Sequence, residues 1–253
     1  MSPLPAYNAT TTASSHPTQI TNKVILTTGV SPGTLGATFS VRPRRRVNAW
    51  EDVLEIDVVV CNAGVMATGY ELSPEGVESQ FAKNHLGHWL FVNLVMEKVM
   101  RAESPRVGGK LYNRWVAYGQ SKTANMLMAV ELAKRLGPKG LLAFSLHPGV
   151  IWTHLSDHID WQTDGAELQA ADQALGNKEG WKQFDFKTLD QGVATTVFAA
   201  FHAGLEEHNG AYLQDAHVAD PRTETVKAYG TSPVEAEMLW ELSEKLAGQK
   251  FEY

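Results

Sequence analysis

The sequence predicts an α/β fold built on a parallel sheet. Three observations predict it. Short apolar runs at 23–28, 56–61 and 141–146 each end in a turn containing glycine. Unbroken runs of that kind suit strands buried on both faces. Longer segments with apolar residues at helical spacing follow each of the later runs. A chain of 253 residues, 43% hydrophobic and 20% charged, is also large enough to bury one core.

The elements follow in chain order. Residues 1–20 are rich in Ser, Thr, Pro and Ala and read as a disordered arm. KVILTT at 23–28 is the first strand, and a glycine-rich turn runs from Gly29 to Gly36. Residues 37–56 carry no clear period, although 49–56 resembles a helix end. IDVVVC at 56–61 is the second strand, ended by Asn62, Ala63 and Gly64. Ser73-Pro74-Glu75-Gly76 reads as a helix start, and apolar residues from Phe81 to Val99 keep helical spacing over 77–100. The stretch 101–116 is polar and contains glycine, with no strand read in it. Residues 117–137 form a second long helix. LLAFSL at 141–146 is the third strand, closed by His147-Pro148-Gly149. Residues 153–187 are long, polar and Trp-containing, and are expected to form a lid. A helix at 189–203, a short strand at 210–213 and a helix at 233–246 complete a single domain over 21–253.

Composition narrows the function. A net charge of −6 argues against a nucleic-acid or anionic-membrane surface. The basic run of Arg42, Arg44, Arg45 and Arg46 is a local exception. No apolar stretch reaches the roughly 18–20 residues of a membrane span. One cysteine, Cys61, offers no internal disulfide and suits a reducing, cytoplasmic setting.

Chemistry concentrates at strand ends. Tyr118 and Lys122 are four residues apart, so a helix presents them on one face. An ammonium beside a phenol favours the phenolate, which suits proton exchange with a substrate oxygen. Alone, this spacing is a weak signal and is better described by an amphipathic helix with a surface lysine. In the turn from Gly29 to Gly36, bare glycine backbone and a following helix start suit a pyrophosphate. A plain turn satisfies the spacing as well. Asn62, Ala63 and Gly64 occupy a strand's carboxyl end, where open α/β sheets place ligands. Asn84 is helix-unfavourable and reads either as a tolerated surface residue or as a buried hydrogen-bonding one. Pro148, Gly149, Val150 and Thr153 follow the third strand. His85/His88 and His154/His158 have helical ligand spacing, but no carboxylate or cysteine completes a metal set, so no metal is expected.

In this order the motifs TGVSPGTLG, CNAG, KNHLGHWLF, YGQSK and HPGVIWT, with the tail GAYLQD…AEMLWELSEKL, resemble the short-chain dehydrogenase/reductase family, in its retinol-dehydrogenase-like branch of fungal type. The resemblance covers about 20–36 and 47–253. It implies a Rossmann-like, doubly wound dinucleotide-binding fold and an oxidoreductase that interconverts a carbonyl and an alcohol on a small lipophilic substrate. The branch implies NADP(H) in preference to NAD(H). The resemblance assigns Tyr118 as general acid/base and Lys122 to the nicotinamide ribose, where it also eases ionisation of Tyr118. Asn84 would position a relay water. Gly29, Ser31, Gly33, Leu35 and Gly36 would surround the pyrophosphate. Asn62, Ala63 and Gly64 would border the adenosine side, with Pro148, Gly149, Val150 and Thr153 at the nicotinamide end. Subunits would pair through helices 77–100 and 117–135.

Two departures stand out. About twenty residues separate Gly36 from Asp57, where the family has further strands. The segment that selects between the two cofactors is therefore missing, and a misread exon junction or a solvated loop accounts for the Arg42 to Arg46 run better than a 2′-phosphate site does. Second, Ser104-Pro105-Arg106-Val107 leads into Gly108-Gly109-Lys110, where the family has an apolar strand ending in a catalytic serine. The expectation is an absent central strand and an absent serine, with Ser104 and Ser121 no substitutes. A degenerate member with little activity, serving at most as a cofactor-binding or dimerising module, is the alternative reading.

Overall fold

The computed structural model describes residues 23–29, 53, 55–100, 106–110, 115–174, 185–224 and 226–253. The expected N-terminal arm, the basic run, Ser104 and the pyrophosphate-turn residues Ser31, Gly33, Leu35 and Gly36 lie outside them.

Among the described residues, β1 (Ile25–Thr27), β2 (Val58–Cys61), β3 (Arg106–Lys110), β4 (Leu142–His147), β7 (Tyr212–Gln214) and β8 (His217–Val218) form one sheet in that order. The first five run parallel, and β8 closes the edge antiparallel to β7. Two short strands, β5 (Val150–Ile151) and β6 (Phe186–Lys187), pair separately. The first long helix comes in three pieces: α1 (Ser79–Phe81), a π-helical turn (Ala82–Leu86) and α2 (Gly87–Val99). Then come α3 (Trp115–Leu136), α4 (Asp164–Ala174), α5 (Leu189–Phe201) and α6 (Pro233–Ala247).

Alternation along the strands explains the two layers. Val59 and Cys61 of β2, with Ala143 of β4, face a core made by Trp89, Val92 and Met96 of α2, Met128, Leu132 and Leu136 of α3, and Trp240 of α6. Val58 and Val60 face Val193, Val197 and Phe201 of α5 instead. Leu142, Phe144 and Leu146 join that second layer through Ala199, Leu205 and Leu213. Both faces of the sheet are covered, which is why its strands read as continuous apolar runs rather than alternating ones. This is the expected Rossmann-like, doubly wound arrangement.

Helix ends are specified locally. Thr188 and Gln191 form a reciprocal capping box at the start of α5. Ser232 caps α6 ahead of Pro233, and Gly248, at φ 66°, ends it. At the sheet's amino edge Asp57 accepts from the Lys23 ammonium and the Val24 amide, both at 2.8 Å, which fixes β1 against β2.

One expectation is corrected. The central place in the sheet is filled: Arg106–Lys110 pairs in parallel with β2 on one side and β4 on the other, from Val58↔Arg106 to Lys110↔Leu146. The physical reason is backbone accounting. Each glycine in a strand costs up to about 1 kcal/mol of extra entropy. Leaving the facing groups of two buried strands unpaired would cost about 1–3 kcal/mol for each group. Ladder bonds need no side chain, so RVGGK serves.

Candidate active site

The site gathers where the parallel strands end. Tyr118 and Lys122 lie one turn apart in α3, and both are buried. The Lys122 ammonium sits 5.1 Å from the centre of the Tyr118 ring. The helical spacing read from the sequence therefore brings the pair together. Met66 and Ile159 bury Tyr118, with Leu155 and Trp161 packed around them. The segment after β5 thus covers the tyrosine, and His158 fastens it by donating through Nε2 to the Met66 carbonyl at 2.7 Å.

Asn84 lies fully buried in the π-helical turn. Its Oδ1 accepts from the Val65 amide at 2.8 Å, and its Nδ2 donates to the Val65 carbonyl at 2.9 Å and to Ser121 Oγ at 3.0 Å. Ser121 in turn donates to the Tyr118 carbonyl at 2.8 Å. Asn84 is therefore the buried hydrogen-bonding residue, joining the turn after β2 to α3. Both Nδ2 hydrogens are used, so a relay water could only donate to Asn84. Its distorted helical turn belongs to a class that recurs at functional sites.

Gly64 completes this corner. A Cβ there would come within 3.2 Å of Asn84 Oδ1 and 3.3 Å of Lys122 Nζ. Gly29, at φ +71°, lies against the same turn, where a Cβ would meet Ala63 Cα at 2.7 Å. Asn62 donates through Nδ2 to the Gly29 carbonyl at 3.1 Å. Gly29, Asn62, Ala63 and Gly64 thus form one surface running from β1 towards Lys122.

Electrostatics mark the same place. Burial lowers the Lys122 pKa to about 8. Among the described residues no hydrogen bond or ion pair engages its ammonium. Asn62 Oδ1 is also buried with no partner among them. A buried cationic donor and an orphaned acceptor on a glycine-lined surface fit a sugar carrying vicinal hydroxyls. The residues present therefore fit a dinucleotide, with Lys122 and Asn62 as candidate ribose contacts.

Pro148, Gly149, Val150 and Thr153 follow β4 on the same side of the sheet. Gly149, at φ +86°, donates its amide to His147 Nδ1 at 3.0 Å, and the Lys187 side chain lies directly over it. Lys187 is ion-paired with Asp215. Burial, then the Lys187 charge, push the His147 pKa down to about 4. Thr153 caps the turn that carries Leu155 onto the Tyr118 cluster.

Sequence reasoning gave Thr28 no role of its own and set His88 and Ser121 aside, and each is bonded into this corner. A signal for His88 was present, since it stands four residues after Asn84. The other histidines of the two spaced pairs also have specific partners: His85 bonds Ser243 at 3.0 Å, His154 pairs with Asp157 at 2.8 Å and His158 donates to Met66. No group of three or more metal-ligating side chains occurs among the described residues. No helix among them is long and apolar enough to cross a membrane.

Comparison with known proteins bears on the family and the fold. A family profile described as short chain dehydrogenase matches residues 46–163. The chain is 32% identical to the short-chain dehydrogenase/reductase prx1 of Penicillium rubens over 76% of its length and 62% of the relative's. It is 31% identical to human retinol dehydrogenase 11, covering 76% of this chain and 61% of that one. The chain thus spans about three fifths of the length of the curated relatives it matches. Among solved structures, a Mycobacterium paratuberculosis short chain dehydrogenase bound to NAD shares the fold, with TM-score 0.51, 19% identity and coverage of 63% of this chain and 62% of that one.

Proposed function

Because the chain belongs to the short-chain dehydrogenase/reductase family, in its retinol-dehydrogenase-like branch, we propose that it interconverts a carbonyl and an alcohol on a small lipophilic substrate with a nicotinamide dinucleotide. The observation that carries this reading is the buried Tyr118–Lys122 pair beside Asn84 and Gly64. The dinucleotide, when bound, supplies or accepts the hydride.

The protein's own part is proton transfer and orientation. Tyr118 donates its phenolic proton to the substrate oxygen in reduction and takes it back in oxidation. The Lys122 ammonium stabilises the phenolate and donates to a ribose hydroxyl. Asn84 accepts from a water that carries the proton outward. Met66, Leu155, Ile159 and Trp161 keep bulk water from the phenol, the last three within the lid proposed over 153–187, of which 175–184 lie outside the described residues. Gly29, Asn62, Ala63 and Gly64 border the dinucleotide, as would Ser31, Gly33, Leu35 and Gly36, with Pro148, Gly149, Val150 and Thr153 at its nicotinamide end. The branch favours NADP(H) over NAD(H). The single cysteine suits a cytoplasmic enzyme, and helices 77–100 and 117–135 are proposed to pair subunits, which sedimentation at micromolar concentration would report as a dimer.

The test is nucleotide binding and turnover. Saturation with NADPH at about 100 times Kd adds ~2.7 kcal/mol, which raises Tm by about 5–10 °C for a domain of this size. Tyr118→Phe is expected to keep that shift and to lose nearly all reduction of a lipophilic aldehyde. No stabilisation by NADPH or NADH would overturn the reading. A second reading, a member of low activity, rests on the absence of any serine or threonine between Arg106 and Ala117. A missing hydroxyl donor costs on the order of 10²–10³ in rate. Nucleotide binding with turnover depressed by that factor would support it. Sequencing the transcript across codons 36–57 and 104–116 shows whether further coding sequence exists.

A further inference from the structure

His88 joins two parts of the site that the proposed chemistry treats separately. It is buried in α2, one turn after Asn84. Its Nδ1 lies 2.9 Å from the Asn84 carbonyl oxygen. A carbonyl only accepts, so Nδ1 carries a hydrogen and donates it. The other nitrogen, Nε2, lies 2.9 Å from Thr28 Oγ1. Thr28 Oγ1 already accepts from the amides of Asn62, at 3.0 Å, and Ala63, at 2.9 Å. Its lone pairs are occupied and its proton is available, so the hydroxyl donates to Nε2. The partners on both sides therefore require a neutral ring with its hydrogen on Nδ1. Burial, followed by the nearby Lys122 charge, holds the His88 pKa below its usual value, consistent with that form.

We propose that His88 is a positioning residue that ties the turn after β1, where the dinucleotide would lie, to Asn84 beside Tyr118 and Lys122. The proposal rests on the oxidoreductase reading above. The connection runs unbroken from the Asn62 and Ala63 amides through Thr28 and His88 to Asn84, and from there to Val65, Ser121 and the Tyr118 backbone. Few side chains can donate on one side and accept on the other across this span while uncharged. Leucine fills similar space and does neither. Asparagine places a donor close to the position of Nδ1 and cannot reach Thr28. The two substitutions therefore separate the halves of the bridge.

The experiment compares wild type, His88→Leu and His88→Asn by steady-state kinetics with NADPH and a lipophilic aldehyde, and by amide hydrogen exchange. His88→Leu is expected to lower kcat about tenfold or more while the aldehyde KM stays within about twofold, the pattern of lost transition-state positioning. The amides of Asn62, Ala63 and Val65 should then exchange about tenfold faster than in wild type, because each bonds to a group that His88 orients. His88→Asn should recover most of kcat and the protection of Val65, but neither the protection of Asn62 and Ala63 nor the NADPH affinity. Wild-type kcat and exchange in His88→Leu would overturn the proposal. So would equal acceleration of exchange throughout the core, which would mean that the ring only fills space. If wild type neither binds nucleotide nor turns over, the oxidoreductase reading fails, and the pattern at these three amides still decides whether His88 is the tie.

Discussion

At the scale of one residue, Lys122 carries a cost in stability that its proposed role would explain. Burial holds its ammonium at a pKa of about 8, against an ordinary value of 10.5. Between those values the unfolded chain binds more protons than the folded one, so stability rises with pH across about pH 8–10.5. Below pH 8 the full penalty applies, up to about 3 kcal/mol at 1.36 kcal/mol per pKa unit. No anionic partner offsets that cost among the described residues, and the proposed contact of Lys122 with a ribose would give a reason for it. Lys122→Met is accordingly expected to raise Tm by several degrees at pH 7, at about 2–4 °C per kcal/mol, and to lose turnover. Melting curves of both proteins at pH 7 and pH 10 check this, since the gap should narrow at the higher pH. That Tyr118 and Lys122 share a helix face was legible from their spacing because a helix repeats every 3.6 residues, while their role needed the other motifs beside it. Thr28 and His88 were not, because their partnership spans 60 positions and exists only once β1 lies beside α2.

At the scale of elements, β3 carries the most weight for its length. It is five residues with two adjacent glycines, and it bonds to a strand on each side. Nothing in RVGGK marks it as a strand, since β propensity reflects side-chain fit and glycine has no side chain to fit. Its neighbours recruit it: β2 and β4 both need a backbone between them. Val107→Pro removes a ladder donor from the middle of the sheet. It is expected to abolish cooperative unfolding and leave no native near-ultraviolet circular dichroism. By contrast β2, β4 and the long helices were readable, because their apolar patterns are long enough to define a period. The π-helical turn at Ala82–Leu86 was signalled only by Asn84, a poor helix former held there by Val65 and Ser121.

At the scale of the whole molecule, buried histidines set the response to acid. Burial lowers the pKa values of His85 and His147 to about 4 and also depresses that of His88. The unfolded chain protonates near 6.5 and the folded chain only well below it. Their contribution is therefore complete above about pH 6.5 and is lost as pH falls towards 4. His85, fully buried against Ser243, accounts for about 3 kcal/mol of that loss. Tm should be flat from pH 7 to 8 and fall steeply between pH 6.5 and 4.5, with a shallower fall in His85→Gln. By itself the sequence determined the fold class, the order of the main strands and helices, and the Tyr118–Lys122 face, because local periodicity and turn chemistry specify these. Only the tertiary structure decided that RVGGK completes the sheet, that Asn84 faces inward and that His88 bridges it to Thr28. Those outcomes depend on backbone and side-chain hydrogen bonds between segments far apart in the chain, whose partners no local pattern identifies.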